Sequence, residues 1–271
     1  MIRQPAAMGY FYPAGADKIR DFIASFNIIP KTEKIDAFGI ISPHAGYVYS
    51  GKTAYMGFSE INIKSNIIII GPNHTGIGAD YSVMASGEYG FRDFDVPVNS
   101  EFAEAIINEK GSPFTGDELA HIKEHSIEVQ IPLLYNLKKD FKIVPIVVSF
   151  VKYGDIVHAA QIIFNALKKS NLLDDVLIVA SSDMTHYENA ESAKTKDGVA
   201  INEILNLNPE GLYNKVREHD ISMCGFIPAS IMLNVAKMAG RTHAKLINYT
   251  NSGEVSGDYS NVVGYSSIIV Y

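Results

Sequence analysis

Apolar runs without polar alternation recur along the chain, separated by longer stretches in which apolar residues return every three or four positions. The runs are AFGIIS (37–42), NIIIIG (66–71), YSVMAS (81–86), KIVPIVVS (142–149), DVLIVASS (175–182), AKLINYT (244–250) and YSSIIVY (265–271). Strands that show no polar face are covered on both sides, so these runs predict a sheet buried between helices. Helices are predicted at ADKIRDFIASF (16–26), at SEFAEAIINEK (100–110) behind a serine cap, and at HSIEVQIPLLYNL (125–137) despite Pro132. Three more are predicted at VHAAQIIFNALKKS (157–170), at NPEGLYNKVREH (208–219) with Pro209 in the first helical position, and at FIPASIMLNVAKMAG (226–240), stopped by Gly240. GEYGFRDFDVPV (87–98) reads as a loop or hairpin. The alternation predicts an α/β fold with a predominantly buried mixed sheet flanked by helices. No linker, repeat or low-complexity tract divides it, so residues 1–271 are expected to form one domain.

In open α/β sheets, chemistry gathers beyond the carboxyl ends of the strands. AFGIIS is followed by PHAGYVYSG, which presents His44, and NIIIIG by PNHTG, which presents His74. DVLIVASS is followed by DMTHYE, which presents Asp183 and His186. One histidine after a strand is an ordinary turn residue. Three handed to the same sheet edge, two of them flanked by proline and glycine, point to a shared site. The only cysteine, Cys224 in ISMCGFIPAS, precedes a predicted helix whose dipole would favour its thiolate. HIKEHSIEVQ (121–130) places His121 and His125 four apart but lacks the HExxH pattern. Its Glu124, His125, Glu128 and Gln130 either line a site or begin a solvated helix.

Two imidazoles, an anionic ligand and open positions suit iron, copper or catalytic zinc. In that reading His44, His74 and Cys224 hold the metal, Asp183 and His186 orient ligands or move protons, and His125 lines the pocket. Cys224, His186 and Asp183 also have the residue types of a metal-free thiol-hydrolase triad, which leaves His44 and His74 without a role. A third alternative is a binding or scaffold protein whose pocket aromatics, Tyr12, Tyr47 and Phe91, take a peptide or small molecule.

Composition narrows the class. The 271 residues are 47% hydrophobic and 20% charged, as in an ordinary globular protein. A net charge of −7 argues against nucleic acid or an anionic membrane surface as partner. A lone cysteine precludes an intrachain disulfide and fits a reducing compartment. The N-terminus, MIRQPAAMGYFYPAG, lacks the pattern of a signal peptide, and no apolar run approaches bilayer length. A cytoplasmic location is expected.

SPHAGYVYSG, GPNHTG, EHSIEVQIPLL, SSDMTHYE and MCGF occur in the order and approximate spacing of the MEMO family, named for the human mediator of ErbB2-driven cell motility. The likeness runs from RQPAAMGYFYPA to the last strand, and the chain resembles a prokaryotic, archaeal-type member. The resemblance implies the fold of class III (LigB-like) extradiol dioxygenases, which hold non-haem Fe(II) by two histidines and a glutamate. It implies that His44 and His74 match the histidine ligands and His186 the acid/base histidine. Cys224 falls where the dioxygenases place glutamate, and a thiolate beside iron and O₂ is open to oxidation. It further implies iron or copper binding and redox activity, with Fe(II) expected first, copper next and zinc last. Association with AMMECR1-type and radical-SAM proteins is implied in microbes, whereas a receptor phosphotyrosine role is not carried over. Edge strands of such sheets often pair in homodimers.

Overall fold

A computed structural model describes residues 1–29 and 31–271. Among the described residues twelve strands are formed: β1 (Ile2–Arg3), β2 (Gly39–Ser42), β3 (Asn66–Pro72), β4 (Tyr81–Val83), β5 (Glu88–Gly90), β6 (Asp95–Pro97), β7 (Thr115–Gly116), β8 (Lys142–Val148), β9 (Val176–Ser181), β10 (His186–Glu188), β11 (Ala244–Asn251) and β12 (Val262–Val270). The helices are α1 (Ala16–Ala24), α2 (Lys52–Ser59), α3 (Ser100–Ile107), α4 (Leu119–Ile122), α5 (Gln130–Leu137), α6 (Tyr153–Lys169), α7 (Ala190–Leu205), α8 (Pro209–Glu218), α9 (Phe226–Met238) and α10 (Gly253–Ser256). A π-helical turn, Tyr47–Gly51, leads into α2.

The main sheet is mixed, in the order β10-β12-β2-β9-β3-β8-β4-β7, with β11 paired to β12. Its centre, β2-β9-β3-β8, is wholly parallel. β12 is antiparallel to β2, and β4 antiparallel to β8. Pro145 lies in β8 just beyond the last β4 partner, Ile146, so its missing N–H falls where that ladder ends. The 87–98 segment is a hairpin, β5-β6, joined by β1 into a second, three-stranded sheet.

Successive β2 residues show how the apolar runs are used. A Cβ on Gly39 would strike Met232 of α9, whereas Ile40 reaches Gly57 of α2 on the other face. The sheet is therefore covered on both sides, and Ile67, Ile68, Ile69 and Ile70 are at most 1% exposed. Each such isoleucine contributes about 1.5–3 kcal/mol relative to exposure. The isoleucine run of β3 is a fully buried post.

Several helix boundaries differ from expectation. Residues 125–129 are not α-helical, because Glu124, Ser126, Glu128 and Gln130 are buried partners of other elements, and α5 starts only at Gln130. Pro132 then falls in the first turn, where its missing N–H costs no helical bond. The α3 cap is Asn99, whose side chain accepts from the Phe102 N–H, and not Ser100. Asn208 and Pro209 start α8 as expected. The 16-residue α7 has no counterpart among the predicted helices, and neither has the π-turn with α2.

Candidate metal centre

The three parallel strands β2, β3 and β9 end side by side, and each end is tied by side chains that orient the residues beyond it. After β3, Asn73 Oδ1 accepts from the backbone N–H of Thr75 (3.2 Å) and Gly76 (2.9 Å) and from the Thr75 hydroxyl (2.9 Å). Its amide donates to the Ile77 carbonyl, 2.9 Å away. This closes the turn that presents His74. Glu124 then grips His74 twice, accepting from its backbone N–H (2.7 Å) and from Nδ1 (2.9 Å). In the neutral ring the His74 proton therefore sits on Nδ1, and Nε2 keeps its lone pair.

His44 follows β2 and is only 2% exposed. Its Nδ1 lies 2.9 Å from Ser181 Oγ at the end of β9. That hydroxyl donates its one proton to the Ser126 carbonyl (2.7 Å) and accepts from Gln130 Nε2 (2.8 Å). Nδ1 of His44 must then be the donor, which leaves a lone pair on Nε2. Burial first, and then His74, His125 and His186, hold this imidazole well below its usual pKa, so it is neutral at pH 7.

His125 completes a cluster. Ligand atoms of His44, His74 and His125 all lie within 4.8 Å of one another. The His74 and His125 rings stack at 4.7 Å, and His44 meets both edge-on at 5.1 and 5.5 Å. Burial lowers the His125 pKa, against the pull of Glu124. Burial also acts to lower that of His74, but the Glu124 hydrogen bond and charge outweigh it and the net shift is upward. Glu124, despite burial, is held down at about 2 by the His74 bond and charge and by the Ser126 N–H.

Cys224 precedes α9 and places Sγ 3.2 Å from His44 Nε2. Its thiol pKa is pushed well up, by burial first and then by the Asp183 carboxylate, so the helix dipole expected to favour thiolate does not prevail. Gly225 is required beside it, since a Cβ there would lie 2.2 Å from the Ser181 carbonyl oxygen. Asp183 accepts from the N–H groups of His44 (2.8 Å) and Ala45 (3.3 Å), and burial raises its pKa to about 6 against the His44 bond. His186 stands on the rim, its Nδ1 2.9 Å from the Ser222 carbonyl, an arrangement that protonates Nδ1 and frees Nε2.

These groups line one cleft of about 460 Å³, walled by Phe11, Tyr187 and Tyr265. Thus His44, His74, His125, Asp183, His186 and Cys224 all reach one cavity. Among the described residues, no hydrogen bond joins His186 to Cys224 or to the Asp183 carboxylate, so the thiol-hydrolase order of residues is not assembled. Tyr12 and Tyr47 are buried, with hydroxyls bonded to Glu128 and the Val129 carbonyl, and Phe91 is buried too. None lines the cleft. Ser181, Glu124 and Gln130 carry the orienting bonds. For Glu124 and Gln130 the trace in the sequence is polar residues at every second position from 124 to 130, a spacing unlike a solvated helix face; Ser181 leaves no such trace.

Residues 3–269 match the family described as Memo-like protein. A MEMO1 family protein of Aquifex aeolicus is 41% identical over 273 residues, covering 99% of this chain and 98% of the relative. One of Methanocaldococcus jannaschii is 40% identical over 287 residues, covering 99% of each. The crystal structure of an uncharacterized protein from Escherichia coli K12 superposes with a TM-score of 0.55 at 12% identity, over 85% of this chain and 98% of that one, a likeness of fold alone. Matched by the family model over residues 3–269 and by relatives about 40% identical over 99% of its length, the chain belongs to the Memo-like protein family.

Proposed function

We propose that the cleft binds a single redox-active metal ion and that the protein is a metal-dependent redox protein, dioxygenase-like in chemistry, acting on a small molecule. The observation that carries this reading is the convergence of three imidazoles from separate elements, two with the far ring nitrogen already tied to Glu124 or Ser181. The donors fit a metal. His44 and His74 offer lone pairs on Nε2, His125 supplies a third nitrogen, and Cys224 is close enough to His44 to be the next donor. Nitrogen-rich sets of this kind suit iron, copper and zinc. Fe(II) is the ion proposed first, on the likeness to extradiol enzymes, with copper second and zinc third.

A bound ion of this type would supply Lewis acidity and one-electron chemistry that side chains lack. The residues of the chain do the rest. Glu124 and Ser181 fix the tautomers of His74 and His44. Asp183 fixes the turn after β2 through two backbone N–H groups. His186, with Nε2 free, takes or returns a substrate proton at the cleft mouth. Phe11 and Tyr265 shed water from the interior.

The test is anaerobic purification from iron- and copper-replete cells with metals quantified by mass spectrometry, beside His74→Ala, His125→Ala and Cys224→Ser. A stoichiometric metal lost in His74→Ala, with circular dichroism unchanged, is expected. The His125 and Cys224 variants assign the remaining donors. A wild-type protein that stays metal-free even after anaerobic reconstitution overturns the reading.

A further inference from the structure

The cleft does not end at its tyrosine wall. A second cavity of about 320 Å³ adjoins it and shares Tyr187, Val263 and Tyr265 with it. Beyond that shared wall stand Tyr49, Ser252, Asp258 and Asn261. Three tyrosines therefore line a compartment that adjoins the histidine site along a shared wall. Tyr265 is almost fully buried, whereas Tyr49 and Tyr187 are 43% and 78% exposed and form its outer lips. The Tyr265 pKa is raised by burial first, then by Asp183, Tyr49 and Tyr187, each of which is within electrostatic reach of its hydroxyl.

Tyr187 is held in place. It is the bulged residue between His186 and Glu188 against β12, in the left-handed region at φ 61°. That backbone is strained for a bulky side chain, and here the bulge turns it toward both cavities. Asp258 is the one formal charge lining the second cavity among the described residues, and no Lys, Arg or His faces it there. Its Oδ1 accepts from the backbone N–H (2.8 Å) and hydroxyl (2.6 Å) of Ser260, so the carboxylate is fixed and ionised.

Aromatic faces with a carboxylate and no basic group are chemistry that selects cations and rejects anions. The geometry points to an alkylammonium subsite, formed by Tyr49, Tyr187, Tyr265 and Asp258, that receives the cationic tail of a substrate whose head lies at the histidines. The inference rests on the reading of that cleft as the substrate site, and it names the substrate class as a small organic cation.

Choline and 3,3-dimethyl-1-butanol differ only by the exchange of a quaternary nitrogen for carbon, and they serve as the probes. Titration of metal-free full-length protein, followed by amide chemical shifts, is expected to show choline perturbing residues 187 and 258–265. Binding should be at least about tenfold tighter than for the neutral alcohol. Asp258→Asn and Tyr49→Ala should each weaken choline, and both sites are exposed enough to leave thermal unfolding unchanged. Equal binding of the two probes, or no choline binding at tens of millimolar, overturns the subsite. Metal content is measured separately, so a protein that binds choline and no metal refutes the redox reading alone, and the reverse result refutes the subsite alone.

Discussion

Replacing Glu128 by alanine removes the acceptor on which the N-terminal segment closes. The carboxylate is fully buried and accepts from the Arg3 guanidinium, the N–H groups of Ala6 (2.8 Å) and Ala7 (3.0 Å), and the Tyr12 hydroxyl (2.5 Å). Arg3 is buried as well, 2% exposed, and also donates to the His121 and Glu124 carbonyls. Glu128→Ala therefore strands a desolvated cation, a loss worth about 3–5 kcal/mol. For a chain of this length each kcal/mol moves the melting temperature by about 2–4 °C, so a fall on the order of 10 °C is expected. Urea unfolding followed by fluorescence and circular dichroism gives the free energy. Arg3→Met/Glu128→Met is the control, because exchanging both members of a buried pair for apolar groups is far less destabilising than removing one. The reasoning fails if Glu128→Ala costs less than about 1 kcal/mol, the range of an exposed pair, or if the double variant is no more stable than the single.

Two further outcomes are expected. His121 is fully buried, near Tyr89 and the Ser82 carbonyl, and burial first pushes its pKa down to about 4. The unfolded chain binds that proton from about pH 6.5 downward while the folded one does not, so stability present above 6.5 is lost towards pH 4, on the order of 3 kcal/mol in all. Urea titrations across that range should show a shallower loss in His121→Gln, and an unchanged slope would refute the assignment. Glu124→Gln keeps the shape beside His74 but removes the charge, and competition with a chromophoric chelator should show metal affinity reduced about 10–100-fold. Unchanged affinity would mean that Glu124 does not orient the ligand.

The centre of the sheet could be read from the chain because β2, β3, β8 and β9 are buried on both faces, and a run such as NIIIIG has no other comfortable environment. The α7 segment, AESAKTKDGVAINEIL, carries few large apolar residues, and part of what it buries is Asp197, so periodicity does not announce it. Three strand ends with histidines were visible because each follows an apolar run, and turn residues bracket two of them. The part played by residues 124–130 stayed open between lining a site and beginning a solvated helix. Glu124, Glu128 and Gln130 look like surface residues until their partners, His74, Arg3 and the ends of β2 and β9, are seen to come from distant parts of the chain. Polar side chains are placed by the groups they satisfy, and that is a tertiary fact.

The groups that share the cleft are spread from Phe11 to Tyr265, and the His44–Cys224 contact alone spans 180 positions. A polypeptide leaving the ribosome therefore owns no such site until nearly its whole length has been made. Closure of so many long loops also makes assembly slow relative to local helix formation. The complete cleft, with Cys224 and Tyr265 in place, is a late product of synthesis and folding.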